Sequence, residues 1–210
     1  MTNLFDKSSG SISSYDSSGV TDSSAAWTTD QWAGWYVYFP SIATSYKIVS
    51  NTDTTLSFSN SLASNPNSYE IQFVSRSRIT EIESDANNST MMSDSFLDNK
   101  YNLANYDISS KVFAYLRSQY REDFDPLANI LNLTSLQQVF CYYVLAKAYQ
   151  DLSINQDSFE SFKGYNMYEK SYNDTIKDAL QMLQIDLDQS GTLDNSEILS
   201  NNGAIKYFTR

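Results

Sequence analysis

Roughly a third of the way along this chain the spacing of apolar residues changes period, and no single regular structure satisfies both parts. From Trp27 to about Arg78 the residues alternate, with Tyr46 and Ile48 against Lys47 and Val49, and Tyr69, Ile71 and Phe73 against Glu70 and Gln72. Successive side chains of a strand point to opposite faces, so this pattern predicts strands with one buried face. The expected strands are Trp35 to Phe39, Tyr46 to Val49, Thr54 to Phe58 and Tyr69 to Val74, with turns at Asn51-Thr52-Asp53 and Asn65-Pro66-Asn67. Four short antiparallel strands make a small sheet or an open barrel. Such a sheet is marginal by itself, so it is expected to lean on a helix or a neighbouring chain.

Beyond Arg78 the period becomes helical. Ser109-Ser110 is a candidate cap for a helix carrying Val112, Tyr115, Leu116 and Tyr120 and ending near Asp125-Pro126. Thr134-Ser135 is placed to cap a second helix, with Leu136, Val139, Phe140, Tyr143, Ala146 and Leu152 on its apolar face. A third, from about Gln156 to Leu183, carries Phe162, Tyr165, Tyr168, Tyr172, Ile176, Ala179 and Leu183, with Gly164 loosening its first turns. The connection around Ser153 to Asn155 is short, so the last two helices should be antiparallel. The expected class is α+β: a small antiparallel β-domain followed by an α-helical bundle with a C-terminal EF-hand-like loop. The expected division is a polar N-terminal arm at 1–24, the β-domain at 25–78 and a linker with room for a short helix at 79–106. The helical bundle follows at 107–185, then a calcium loop at 186–197 and a docking tail at 198–210. The arm is rich in Ser, Gly and Asp, and alone it should be disordered.

The loop is the one place where chemistry is written directly in the residues. Asp186-Leu187-Asp188-Gln189-Ser190-Gly191-Thr192-Leu193-Asp194-Asn195-Ser196-Glu197 follows the twelve-residue EF-hand pattern. A hard cation such as Ca2+ takes oxygen ligands. The expected set is the side chains of Asp186, Asp188, Ser190, Asp194 and Glu197 with the carbonyl of Thr192, Glu197 binding through both oxygens. Gly191 stands where the chain must turn sharply, and Leu193 is the inward apolar anchor. The plainer alternative is a solvated acidic turn after a helix. No second loop of this kind occurs, and only Ile198 and Leu199 precede Asn201-Asn202-Gly203, so the exiting helix is short. A lone loop of this form suits a structural staple better than a sensor, which pairs two such loops and opens a groove.

Composition narrows the function classes. Asp and Glu number 25 against 14 Lys and Arg, a net charge of −11 that argues against a nucleic-acid binder with a basic surface. There is no histidine, which removes the commonest general base and transition-metal ligand together with Ser-His-Asp and Cys-His catalysis. No glycine-rich phosphate loop stands among the six glycines, so no catalytic residue is assigned and the chain is read as a non-enzyme. The single cysteine, Cys141, is expected to be a small buried hydrophobe. The first twenty residues hold no apolar stretch of secretory length, and no run approaches a membrane span, so neither secretion by a standard leader nor a membrane partner is expected.

Two features point to protein partners. With 16 Tyr and 11 Phe the chain is rich in large, stiff side chains that suit contact with other chains as well as cores. The segment Gly203 to Arg210 is apolar and aromatic, and Ile205, Tyr207, Phe208 and Arg210 are candidate docking residues for a sheet edge or groove.

The polar arm, the β-rich stretch WTTDQWAGWYVYF and YKIVSNTDTTLSF, and the helical stretches LQQVFCYYVLAKAYQDL and YNMYEKSYNDTIKDALQML lead to a sticky tail. In that order they resemble tailed-bacteriophage head-tail connector or adaptor (neck) proteins, most closely over about 110 to 185. The resemblance implies a virion protein assembled in the host cytoplasm. It implies a homo-oligomeric ring, most often a dodecamer, whose tails insert into the portal protein and which meets a tail or further neck protein. DNA would pass through its lumen without specific binding. The β-domain and calcium loop depart from the minimal family fold, which leaves room for another neck or tail protein. A different expectation is an extracellular calcium-dependent adhesion or carbohydrate-binding module, with Trp27, Trp32 and Trp35 as a sugar platform. An enzyme using carboxylates is a third.

Overall fold

The computed structural model describes residues 4–62, 64–84, 92–120, 130–156, 159–186, 190, 192 and 193. The chain is α+β and divides into two compact units, one of Phe5–Asn87 and one of Asn88–Arg210 together with Met1–Leu4.

The first unit is an antiparallel sheet of seven strands: β1 (Ser8–Ser11), β2 (Ser14–Tyr15), β3 (Gly19–Thr21), β4 (Tyr36–Phe39), β5 (Thr44–Asn51), β6 (Thr55–Phe58) and β7 (Ser68–Gln72). Their spatial order is β1-β7-β4-β5-β6-β3-β2. The two edge strands are therefore neighbours in sequence, separated only by Ile12 and Ser13. Ile12 N–H donates to the Asn67 carbonyl at 3.0 Å and Ser13 N–H to that of Thr21 at 2.8 Å. The roughly 10 Å that three extended residues span cannot bridge an open seven-stranded sheet, so the edges lie side by side and the sheet curls into a barrel. β5 serves both halves and carries a bulge between Ile48 and Ser50, the device that lets a strand bend. Its alternation is the expected one, with Ile48 buried between the exposed Lys47 and Val49.

Inside the barrel Val20, Val37, Phe39, Ile48, Leu56 and Ile71 are at most 1% exposed. The four strands expected from alternation are present. The polar segment 1–24 corrects the expectation of a disordered arm, because residues 8–21 supply β1, β2 and β3. Its composition hid this. Those strands contribute backbone pairing, with Val20 as their one fully buried apolar side chain. Gly19 is required there, since a Cβ would stand 2.5 Å from the Leu56 carbonyl oxygen of the paired strand. After β7 comes α1 (Arg76–Ile82), capped by Ser75, whose Oγ accepts from Arg78 N–H at 3.1 Å.

The second unit holds α2 (Asp94–Tyr120), α3 (Gln137–Gln156) and α4 (Phe159–Gln181). The helix expected to start at Ser109 begins at Asp94 instead, inside the stretch read as linker. Leu97, Tyr101, Ala104, Ile108, Val112 and Leu116 form its buried stripe, diluted in sequence by intervening Asn, Asp and Ser. Ser109 is no cap but a buried mid-helix residue, its Oγ donating to Asn105 Oδ1 at 3.2 Å and accepting from Leu4 N–H at 2.9 Å. Thr134 and Ser135 fall within a 3-10 turn, Leu133–Leu136, that leads into α3.

α3 is buried on nearly every side and packs against both α2 and α4, which makes it the axis of the unit. Cys141 is buried within it. Tyr149 stacks on Tyr168 with centroids 5.7 Å apart, and Tyr143 meets Tyr172 edge-on at 5.1 Å, so α3 and α4 run antiparallel. Gly164 does more than loosen α4: a Cβ there would stand 2.8 Å from the Tyr149 ring, so the glycine lets the helices approach. Phe162 corrects the expected stripe, being 53% exposed while Ser161 is buried.

Candidate calcium loop and its surroundings

α4 ends at Gln181, and the chain then runs extended towards the loop, held along one side by residues 130–132. Ile130 and Ile185 form an antiparallel bridge. Leu131 N–H donates to the Gln184 carbonyl at 3.0 Å. Asn132 closes the arrangement with its side chain, Oδ1 accepting from Gln184 N–H at 2.7 Å and Nδ2 donating to the Met182 carbonyl at 2.9 Å. The bridge buries both isoleucines, which anchors it in the apolar core of the unit.

Asp186 follows at once and is wholly buried. Its Oδ1 accepts from Ser190 N–H at 3.2 Å. Ser190 Oγ donates to the Thr192 carbonyl at 3.0 Å. These three residues stand at loop positions one, five and seven, and their oxygens suit a hard cation. Two oxygens that share an ion at about 2.4 Å each lie within about 5 Å of one another, a condition the Ser190–Thr192 pair meets. Asp188, Asp194 and Glu197 lie outside the described residues, as do the tail residues Ile205, Tyr207, Phe208 and Arg210. Among the described residues there is no group of three or more Cys, Asp or Glu arranged to hold a metal ion.

The other polar constellations have structural work that their geometry explains. Tyr172 Oη accepts from Lys111 at 2.5 Å and donates to Asp107 at 2.7 Å, while Lys111 pairs with Asp107 at 2.9 Å, tying α2 to α4. Burial first, then the hydrogen bond to Asp107, holds the Tyr172 hydroxyl well above the ordinary tyrosine range. Tyr143 is pushed up to about 12, by burial and then by the negative charge of Asp107. Both hydroxyls therefore keep their protons at neutral pH and are poor acids there. The buried ammonium of Lys100 is neutralised by Asp151 and lies 4.8 Å over the Phe96 ring.

In the barrel unit Asp22 is buried, taking Ser24 N–H and Oγ–H on one oxygen and Tyr69 Oη–H on the other, the last at 2.7 Å. The Ser24 hydroxyl chiefly, helped by Tyr69 and backbone amides and opposed by burial, holds its carboxyl below the ordinary aspartate value. Asn51, read from sequence only as part of a turn, is 2% exposed. Its Oδ1 accepts from Trp32 N–H at 2.8 Å and its Nδ2 donates to the Thr28 carbonyl at 2.8 Å and to that of Thr52 at 2.7 Å. No periodicity announces such a residue.

Trp32 and Trp35 are buried against each other edge-on at 5.0 Å, and Trp27 is half-buried edge-on to Tyr69 at 5.9 Å. The two buried rings are unavailable as a flat sugar platform. On the helical unit, Leu103, Tyr106, Ile154, Phe162, Met167 and Met182 are between 48% and 73% exposed. Among the described residues no helix is long and apolar enough to cross a membrane. No protein-family model, curated protein or solved structure matches the chain.

Proposed function

We propose that the chain is a non-enzymatic virion protein that forms a ring joining a phage head to its tail, as a connector or adaptor. In this reading a calcium ion bound by Asp186, Asp188, Ser190, Asp194, Glu197 and the Thr192 carbonyl fixes the direction of the C-terminal tail. The observation that carries it is the outward-facing set of Leu103, Tyr106, Ile154, Phe162, Met167 and Met182 on the helical unit. Leu103 and Tyr106, three residues apart on α2, stand on one helix face away from its buried stripe. Large apolar side chains on an otherwise acidic surface suit contact with other protein chains. The net charge of −11 suits a conduit in which DNA slides without sticking.

Light scattering and electron micrographs of the purified protein, alone and with a portal ring, test the assembly. Rings or portal-bound rings are the expected outcome, and a monomer at all concentrations that leaves the portal bare sinks the reading. Deleting residues 203–210 is expected to leave a folded chain that no longer docks. Calorimetry is expected to show one calcium site that Glu197→Ala abolishes.

A further inference from the structure

We propose that the segment Ile130-Leu131-Asn132 is a built-in brace for the calcium loop, with Asn132 as its positioning residue, doing for a lone loop what a second EF-hand loop does in a pair. The inference rests on the calcium reading of Asp186 to Glu197. The chain between α4 and Asp186 is held on one side by three interactions. These are the Ile130–Ile185 bridge, which includes the Leu131 N–H to Gln184 carbonyl bond, Gln184 N–H to Asn132 Oδ1, and Asn132 Nδ2 to the Met182 carbonyl.

Asn132 matches a backbone here. One amide group donates to a carbonyl and accepts from an amide two residues further on, as a paired strand would, because an Asn side chain offers both functions from one planar group with the geometry of a peptide unit. Asp186 follows the bridge directly, so its buried carboxylate is held at the start of the loop before any ion arrives. A lone loop without such a partner must order its first ligand when the ion binds, and that entropy is subtracted from affinity. Linkage makes the effect reciprocal: an ion that prefers the braced conformation also tightens the brace.

Two measurements on the full chain test this. Calcium titration by calorimetry should show Asn132→Ala binding on the order of tenfold more weakly than the parent, the range expected for loss of two hydrogen bonds at a positioned segment. Equal affinity in the two proteins overturns the brace while leaving the calcium site standing. Amide hydrogen exchange on the unsubstituted protein needs no variant to fold. Adding calcium should slow exchange at the Leu131 and Gln184 amides, a response that a merely structural contact would not give. Unchanged exchange at both amides, in protein shown by calorimetry to be loaded, likewise overturns it. Should the parent bind no calcium at all, the calcium reading itself fails and the brace loses its object.

Discussion

The two units of this protein hide their determinants to different degrees. In the helical unit, stability comes from stripes of apolar side chains along α2, α3 and α4, and most of those residues can be named from spacing. In the barrel unit, the strands that complete the sheet are Ser- and Gly-rich, and the joins are polar: Asp22 with Tyr69, Asn51 with the 28–32 loop, Gly19 against Leu56. A helix satisfies its own backbone and needs only one apolar face, whereas a barrel must satisfy backbone groups across strands distant in sequence. The first need is local and leaves a periodic trace; the second does not.

That contrast can be strained experimentally. The largest effects are expected from the apolar cores: Phe39→Ala in the barrel and Phe140→Ala in α3 should each lower the free energy of unfolding by about 3–5 kcal/mol, read by chemical denaturation. A cost well below that at Phe140 alone would mean the helical unit is less tightly packed than its burial implies.

Asn51→Ala comes next, at about 2–4 kcal/mol, because it strands a buried N–H and two carbonyls. Asn51→Asp should restore only the acceptor side and recover less than half. A loss under 0.5 kcal/mol, the scale of a neutral surface change, would show that water can replace the network and that the barrel joins matter less than its core.

Smaller still is Gly164→Ala. The helix interior favours Ala by about 1 kcal/mol, but the new methyl meets the Tyr149 ring, and overpacking of this kind costs about 1–3 kcal/mol. A net destabilisation of about 1 kcal/mol is expected in thermal melts, and a stabilised variant would show that the Tyr149 ring gives way freely.

The smallest effects are in the response to pH, and they differ in sign of approach between the units. Asp22 has a folded pKa below its unfolded value, so its contribution is present above the ordinary aspartate value of 3.8 and is lost as pH falls below it. Asp22→Asn should flatten that acid limb. The hydroxyl of Tyr143 is raised from 10.0 to about 12, so its contribution is present below pH 10 and is lost as pH rises from there towards 12. Tyr143→Phe should flatten the alkaline limb and leave the acid one alone. Curves of stability against pH for the two variants check both, and a shared change in both limbs would erase the contrast.

How much was legible follows the same division. Tyr46, Ile48, Tyr69 and Ile71 announced their strands by alternation, and Tyr168, Tyr172, Ile176 and Ala179 announced α4 by spacing. Residues 8–21 did not, since Ser and Gly carry no apolar period and their strands exist only because β6 and β7 accept them. The length of α2 was hidden by Asn99, Asn102, Asn105 and Asp107, which read as loop until the stripe from Leu97 to Leu116 is seen to be buried. The EF-hand-like pattern at 186–197 stands out in the sequence because such a pattern fixes residue types at fixed offsets, while the contact of Asn132 with Met182 and Gln184 does not, because Asn132 lies fifty residues and more upstream of them.

By itself, then, the order of residues determined the α+β class, the change of period, the antiparallel pairing of α3 and α4, the absence of histidine and the EF-hand-like residue pattern from Asp186 to Glu197. Only the tertiary structure decided that the polar N-terminal segment completes the barrel, that Trp32 and Trp35 face inward, that Gly164 admits a tyrosine ring, and that Asn132 stands beside the path into the loop. The physical reason is range. Periodicity, capping and ligand spacing act between residues a few positions apart, whereas barrel completion, buried polar satisfaction and close packing are set by partners the chain meets only once it has folded.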